Sequence, residues 1–258
     1  MLNIDIVPCL QDNYSFVLHD KETNTVAVVD PSEFEPINNF IKKKLKKIDY
    51  IFNTHHHFDH TGGNLNLKKK YNAQIVGFKK DENRIPGIDI KLSNNEVFKL
   101  GNVEFKIFHI PGHTSGHICF YSVDEKIIFT GDALFSLGCG KIFEGTYLEM
   151  LTSLDLIKKL PSNTLIYCGH EYTQRNLNFC IKHEVNNNNL QKKRKWVSSR
   201  LSQKKPTIPT TIKEELNTNI FLRCDISEVK KSLGMENSTE LDIFKVVGME
   251  YLDPENRI

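Results

Sequence analysis

Residues 54–60 read Thr-His-His-His-Phe-Asp-His, so His55, His57, Asp59 and His60 form the pattern H-x-H-x-D-H. Nothing else in the chain constrains its fold as strongly. Four metal-liking side chains are crowded into one short stretch and fall into two pairs. In an extended segment His55 and His57 point to the same side. The neighbours Asp59 and His60 diverge, so each pair can serve its own metal ion. Imidazole with carboxylate suits Zn, Fe or Mn rather than an all-sulfur site. A solvated polar loop could also carry chance histidines, but the flanking sequence argues for a delivered site. Ile48-Asp49-Tyr50-Ile51-Phe52-Asn53 reads as a short buried strand ending at the motif. Thr61-Gly62-Gly63-Asn64 then breaks the chain, and Leu65 and Leu67 open a helix. The motif thus sits on a strand-to-helix loop, where α/β proteins place their chemistry. His56, between the two pairs, is expected to face away and to be structural.

Four residues do not fill two coordination spheres, and three further segments offer ligands. His113 lies in Pro111-Gly112-His113-Thr114-Ser115-Gly116-His117, after the alternating strand Val103–Phe108. Asp132 follows the apolar run Lys126–Gly131, and His170 follows Thr164–Gly169. Each strand ends in a glycine beside a ligand-type residue, where a missing side chain lets backbone and metal come close. Any one of these alone would more often be structural than a ligand; together with the first motif they read as a completed metal site.

At this point the chain resembles the metallo-β-lactamase superfamily and, more narrowly, the hydroxyacylglutathione hydrolases (glyoxalase II). The resemblance is carried by Gln11-Asp12-Asn13-Tyr14, Val29-Asp30-Pro31, the His/Asp run at 54–60, P-G-H-T-S-G-H at 111–117, F-T-G-D-A-L-F at 129–135, G-C-G-K-I-F-E-G-T at 138–146 and C-G-H-E-Y-T at 168–173. A later Asn219-Ile220-Phe221-Leu222-Arg223 is similar to that family's N-P-F-L-R, with Ile220 in place of proline. H-x-H-x-D-H marks only the superfamily, whereas the last two of the earlier motifs are specific to the glyoxalase II branch. The resemblance implies that His55, His57 and His113 hold one ion, that Asp59, His60 and His170 hold a second, and that Asp132 lies between them. It implies two divalent cations per chain, zinc first, with iron or manganese also admitted. Asp59 and Asp132 would be catalytic as well as ligands, Asp59 by orienting the attacking water. His109 and His117 would stay outside the ligand set. Lys141, Phe143 and Tyr172 match positions that contact substrate in the family, where Phe143 is often Tyr. The implied reaction is hydrolysis of a thioester, S-D-lactoylglutathione to glutathione and D-lactate, a step of methylglyoxal detoxification. One departure stands out. Many members carry a basic Arg-x-x-Lys element near the C-terminus that holds a glutathione carboxylate, but residues 245–251 here read Lys-Val-Val-Gly-Met-Glu-Tyr. Lys245 or Arg257 is left as a substitute, or the acyl carrier differs. The rival on the same fold is a persulfide dioxygenase with one iron; residues 173–258 and the segment at 138–146 favour the thioesterase. A non-catalytic binding module is disfavoured because all seven ligands are present.

Composition sets the remaining bounds. The 258 residues include 39% hydrophobic residues and 16 Phe, enough for a sizeable core, and a net charge of +2 leaves no global nucleic-acid footprint. Lys192-Lys193-Arg194-Lys195, followed by Arg200, Lys204 and Lys205, reads as a solvated helix face ahead of a nucleic-acid patch, with a basic rim near an anionic substrate as a third option. Six cysteines (9, 119, 139, 168, 180 and 224) form no C-x-x-C and point to reduced thiols. No basic-then-apolar leader opens the sequence, and no apolar run is long enough to span a bilayer. A cytoplasmic monomer acting on a small molecule, without nucleic acid or membrane, is therefore expected.

Along the chain, residues 1–29 predict three strands with turns near 11–13 and 21–24. Ser32 is placed to cap a helix over 33–46 with Ile37, Phe40, Ile41 and Leu45 on one stripe. Residues 73–132 read mostly as strand, and a helix over 146–159 carries Tyr147, Leu148, Leu151, Leu154 and Ile157. The fold class is α/β: an αβ/βα sandwich of the metallo-β-lactamase kind with a small C-terminal α-helical domain. The catalytic domain is assigned to 1–172 and a helical substrate-binding domain to 173–258, with helices over 173–184, 188–203, 225–234 and 238–247.

Overall fold

The structure is a computed structural model and describes residues 1–252. The chain forms two compact units: Met1–Ile110 with Gly116–Gly131, and Pro111–Ser115 with the chain from Asp132 onward.

The first unit is built from two sheets. Strands β1 (Leu2–Cys9), β2 (Asn13–Asp20), β3 (Thr25–Val29), β4 (Tyr50–Phe52), β5 (Gln74–Phe78) and β6 (Ile90–Leu92) lie side by side in chain order. The first three run antiparallel, joined by the expected tight turns; β3 to β6 run parallel, with Val29 beside Phe52. Strands β7 (Val97–Leu100), β8 (Val103–His109), β9 (Ile118–Ser122) and β10 (Ile127–Gly131) form an antiparallel meander. Phe52 joins the two layers: its ring stacks on Phe120 at 4.8 Å and meets Phe98 and Phe105 edge-on at 5.3 and 5.8 Å. Such aromatic pairs add about 0.5–1.5 kcal/mol each beyond simple burial. On the far face of the first sheet, helix α1 (Phe34–Lys44) contributes Ile37 and Ile41 and helix α3 (Asn64–Tyr71) contributes Leu67 to one buried apolar cluster. Phe40 and Leu45 pack against its edge, as the stripe predicts. Ser32 does not cap α1. Its backbone N–H donates to Ser15 Oγ at 3.2 Å, and the cap position falls to Glu33, which makes no side-chain cap bond. A buried partner in β2 wins over the orphan N–H groups of a solvent-exposed helix end.

The second unit holds the hairpin β11 (Leu134–Phe135) with β12 (Gly138–Cys139), helix α4 (Tyr147–Lys158), and strand β13 (Leu165–Cys168) paired with β14 (Thr210–Thr211). Helices α5 (Thr173–His183), α6 (Asn188–Ser202), α7 (Ile212–Thr218), α8 (Ser227–Ser232) and α9 (Glu240–Leu252) complete it. Thr146 and Glu149 form a reciprocal capping box on α4. Within that helix Leu148 is exposed, and Met150 takes the buried place the periodicity gave it. Asn187, in the asparagine run, caps α6 through the N–H groups of Asn189 and Leu190. The basic run lies on α6, where Lys193 turns inward over Trp196 at 4.5 Å instead of joining a solvated face. The sequence reading has neither β14 nor α7.

Helix α7 matters because it clamps the hairpin. Glu215, fully buried, accepts hydrogen bonds from Leu137 N (2.7 Å), Thr210 Oγ1 (2.7 Å), Asn219 Nδ2 (3.0 Å) and Ser136 Oγ (3.2 Å). Burial pushes its carboxyl above the usual range, against the pull of Lys193 and these donors. Asn219 also donates to the carbonyls of Phe135 and Gly138. Arg223, closing the same motif, forks onto Glu184 at 2.8–3.2 Å. Ile220, where the resemblance has proline, is fully buried.

Candidate metal centre

In the first unit, β4 ends at the motif and the backbone hands it over in fixed register. Asn53 N donates to Val76 O, and Thr54 O accepts from Ile118 N at 2.8 Å, tying the loop between β5 and β9. His55 and His60 are buried, His57 is half-buried, and Asp59 keeps 38% of its side chain in solvent. The rings of His57 and His60 lie 4.7 and 4.3 Å from that of His55. Helix α2 is a single turn, Phe58–Thr61, and carries Asp59 and His60.

Asp30 organises these rings. Its Oδ1 accepts Thr54 N–H at 2.8 Å, and its Oδ2 accepts Thr54 Oγ1–H at 2.7 Å and stands 3.2 Å from His60 Nδ1. A carboxylate only accepts, so His60 Nδ1 carries the proton and Nε2 keeps its lone pair. The Thr54 hydroxyl spends its hydrogen on Asp30, so it accepts from His55 Nδ1, 3.0 Å away, and leaves the lone pair of His55 on Nε2 in the same way. Asp30, His55 and His60 together could surround an ion. With both its oxygens taken, however, Asp30 orients the other two. Its backbone sits in the left-handed region (φ 46°), a conformation that costs energy outside glycine. Gly131, also left-handed (φ 48°), closes β10 against Thr54 Oγ1 and His117 Nε2, where a side chain would collide with both. Asn13 donates to the carbonyl and to Oδ2 of Asp59, both at 3.0 Å, and so orients that carboxylate. His56 turns away to Asp81 at 3.2 Å. Burial raises the Asp81 carboxyl, but hydrogen bonds from His56 and Arg84 outweigh it and hold it below the usual range.

The second unit brings together His113, Asp132 and His170, each 4–6% exposed. His113 sits in a five-residue segment held by Phe143 N to His113 O and Gly145 N to Gly112 O, both 3.1 Å, and by Ser153 Oγ to Pro111 O at 2.7 Å. Its Nδ1 donates to Lys141 O at 2.7 Å, which again leaves Nε2 with the lone pair. Gly140 lies flat on the Asp132 carbonyl with His113 Nδ1 beside it, space that no side chain could share. The three expected substrate positions lie beside these side chains. The Phe143 ring meets His113 edge-on at 5.3 Å, Lys141 Nζ lies 4.9 Å over Phe143, and Tyr172 stacks parallel on His170 at 4.6 Å.

The donor sets fit divalent cations. His60 Nε2 lies 3.4 Å from Asp59 Oδ2, His113 Nε2 3.6 Å from Asp132 Oδ2, and His170 Nε2 3.2 Å from the same oxygen. Two ligands of one tetrahedral ion, each about 2.0–2.1 Å from it, stand about 3.4 Å apart. Imidazoles whose second nitrogen is pinned by a carbonyl or carboxylate are the usual support of a metal ligand. These His and Asp clusters therefore make a divalent-metal site. No thiol competes for the role: all six cysteines are free and buried, and burial pushes Cys119, Cys168 and Cys180 up to about 12. The expectations missed Asp30 and Asn13 as site residues, although both lie in segments that carried the resemblance.

Comparison with known proteins agrees. The family model described as the Metallo-beta-lactamase superfamily matches residues 8–170, and that described as Hydroxyacylglutathione hydrolase C-terminus matches 171–248. The hydroxyacylglutathione hydrolase of Pelagibacter ubique is 54% identical over 227 residues, covering 88% of this chain and 95% of that one. The chain belongs to the hydroxyacylglutathione hydrolase family. The family member of Methylococcus capsulatus is 39% identical, covering 95% of each chain. Among solved structures, ETHE1 from Myxococcus xanthus has a TM-score of 0.69 at 19% identity, covering 100% of this chain and 94% of that one. The BLEG-1 B3 metallo-β-lactamase has a TM-score of 0.65 at 22% identity, covering 86% and 99%. At such identity the likeness of these two to the chain shows the fold alone. The fold is thus the metallo-β-lactamase α/β fold followed by a helical C-terminal region. Among the described residues no helix is long and apolar enough to cross a membrane.

Proposed function

We propose that the chain is a two-metal thioester hydrolase acting on glutathione thioesters, S-D-lactoylglutathione first. Residues 1–172 form its catalytic part and 173–258 its substrate-binding part. In this reading His55, His57 and His113 hold one ion, Asp59, His60 and His170 the other, and Asp132 serves both. Zinc suits the nitrogen and oxygen donors, and iron and manganese are admitted. The observation that carries the reading is the fixed tautomer of His55, His60 and His113, each with Nδ1 as the donor and the ligating lone pair therefore on Nε2.

Bound there, two cations would supply a Lewis acid for the thioester carbonyl and a water acidified to a pKa of about 7. The rest is work for the chain's own side chains. Asp59, oriented by Asn13 and open to solvent, is placed to orient the attacking water and take its proton. Lys141, Phe143 and Tyr172 line the approach to the ligands and position the thiol half of the substrate. The leaving thiolate needs no strong general acid, since a thiol ionises at about pH 8.5. Buried, unpaired thiols support a reducing compartment, and a cytoplasmic monomer completes the reading.

The test is to load the protein with zinc, iron or manganese and follow loss of thioester absorbance from S-D-lactoylglutathione, with an acyl-CoA panel alongside. Turnover without oxygen uptake supports the reading. Turnover of acyl-CoA alone would assign another acyl carrier. Oxygen uptake with one iron per chain, or no turnover under any loading, overturns it.

A further inference from the structure

A glutathione thioester carries two carboxylates, and the element that the family uses for one of them is missing from residues 245–251. Of the substitutes considered from sequence, Arg257 lies outside the described residues, and Lys245 stands on α9 near Asp242. The second unit offers a different cation. Arg175 lies in the first turn of α5, directly after the segment that ends in His170 and Tyr172. Its guanidinium stacks 4.3 Å over the Tyr172 ring, whose other stacking partner is His170, and lies 5.3 Å from the Tyr251 ring. Its Nη2 donates to Tyr251 Oη at 2.7 Å; that hydroxyl donates to Asn176 Oδ1 at 2.6 Å, and Asn176 Nδ2 to Ser136 O at 2.9 Å. The cation is therefore fixed in place before any ligand arrives. Yet no carboxylate pairs with it among the described residues. The neighbouring acids are taken elsewhere: Glu250 by Lys182 at 2.6 Å, and Glu184 by Arg223 at 2.8 Å. The Arg175 Nε–H is buried and finds no acceptor among the described residues. A preset, half-buried guanidinium with no carboxylate beside it among the described residues is an incomplete ion pair, and a carboxylate that meets its solvent-exposed part completes it with charge-assisted hydrogen bonds.

We propose that Arg175, backed by Tyr172 and Tyr251, is the anchor for a carboxylate of the substrate, in place of the missing C-terminal basic pair. The proposal rests on the thioester reading above and adds a specificity residue to it. Arg175 holds the tripeptide end of the substrate and takes no part in bond breaking.

The experiment uses metal-loaded full-length protein, the variants Arg175→Met and Arg175→Lys, and three probes. Methionine keeps an apolar stem over Tyr172, so the stack survives loss of the charge. The probes are S-D-lactoylglutathione, a lactoyl thioester of N-acetylcysteamine that has no carboxylate, and S-hexylglutathione, a thioether that binds without reacting. Arg175→Met should raise KM for lactoylglutathione, and weaken calorimetric binding of the thioether, by about 10- to 100-fold, the worth of a charged hydrogen-bond pair. Its kcat should stay within about twofold, and its action on the carboxylate-free thioester should not change. Arg175→Lys should recover only part, because an ammonium lacks the fork. Equal losses on both thioesters, or unaltered thioether binding, overturn the proposal. If the parent protein cleaves neither thioester the hydrolase reading fails, and the thioether titration still decides the role of Arg175.

Discussion

Replacing Asp30 by asparagine tests the organisation of the proposed metal ligands without substituting any of them. Asp30 accepts three hydrogen bonds: from Thr54 N at 2.8 Å, from Thr54 Oγ1 at 2.7 Å and from His60 Nδ1 at 3.2 Å. Asparagine supplies one accepting oxygen and one donating amide. If the oxygen stays with Thr54 N–H, the amide confronts His60 Nδ1–H donor to donor. His60 escapes only by moving its proton to Nε2, the nitrogen a metal needs. The Thr54 hydroxyl must also turn to accept from the new amide. It then points its hydrogen at His55 Nδ1, and the second imidazole loses its tautomer too. A disturbed support behind one ligand costs about 10–100-fold in metal affinity, so the ions at His55 and His60 should both weaken by at least that factor. Stability should fall by about 1–3 kcal/mol, the cost of one buried donor left badly paired. That corresponds to about 2–4 °C in melting temperature per kcal/mol for a chain of this size. The assay is competitive metal titration of the apo-protein against a chelator, with long-range 15N–1H spectra reporting the tautomers of His55 and His60. An asparagine variant that keeps parental metal affinity and Nδ1–H tautomers would refute the role given to Asp30.

Other outcomes follow from the same geometry. Asn13→Ala frees the Asp59 carboxylate and should lower kcat by about 10–100-fold, with the fold, read by circular dichroism, unchanged. Glu215 has a raised carboxyl in the folded state, so the neutral form is favoured there. Its contribution is complete below the unfolded value of about 4.3 and drains away as pH rises through the raised folded value. Urea unfolding at stepped pH should show that slope in the parent and a flatter one in Glu215→Gln, whereas Glu215→Ala should cost about 3 kcal/mol or more by stranding Leu137 N–H and Ser136 Oγ–H. Chelation of a protein held at 1,000 times its metal dissociation constant should remove about 4 kcal/mol of stability. The six thiols should resist an aromatic disulfide reagent until urea unfolds the chain, because all are buried.

What the sequence revealed was set by local chemistry. Ligand-type residues that end strands are visible as patterns, and so are the strands, because alternation and short apolar runs report burial directly. The capping box Thr211-x-x-Glu214 that opens α7 was also in the sequence, but a seven-residue helix offers too few turns for its apolar period to register. Ser32 misled because a side chain at a cap position looks the same whether its partner is the helix or a buried neighbour in β2. Asp30 and Asn13 act across 24–46 residues of chain, on Thr54, His60 and Asp59, so only the folded arrangement assigns them their work. Arg175 is invisible for the same reason: its meaning comes from Tyr251, which lies 76 residues away.

The central claim is that seven side chains from four segments hold two cations. Anomalous diffraction from crystals of zinc-loaded protein tests it directly. The account predicts two peaks per chain, one among His55, His57 and His113 and one among Asp59, His60 and His170, with Asp132 reaching both. A single peak, or a pair that excludes His113 or His170, would contradict it.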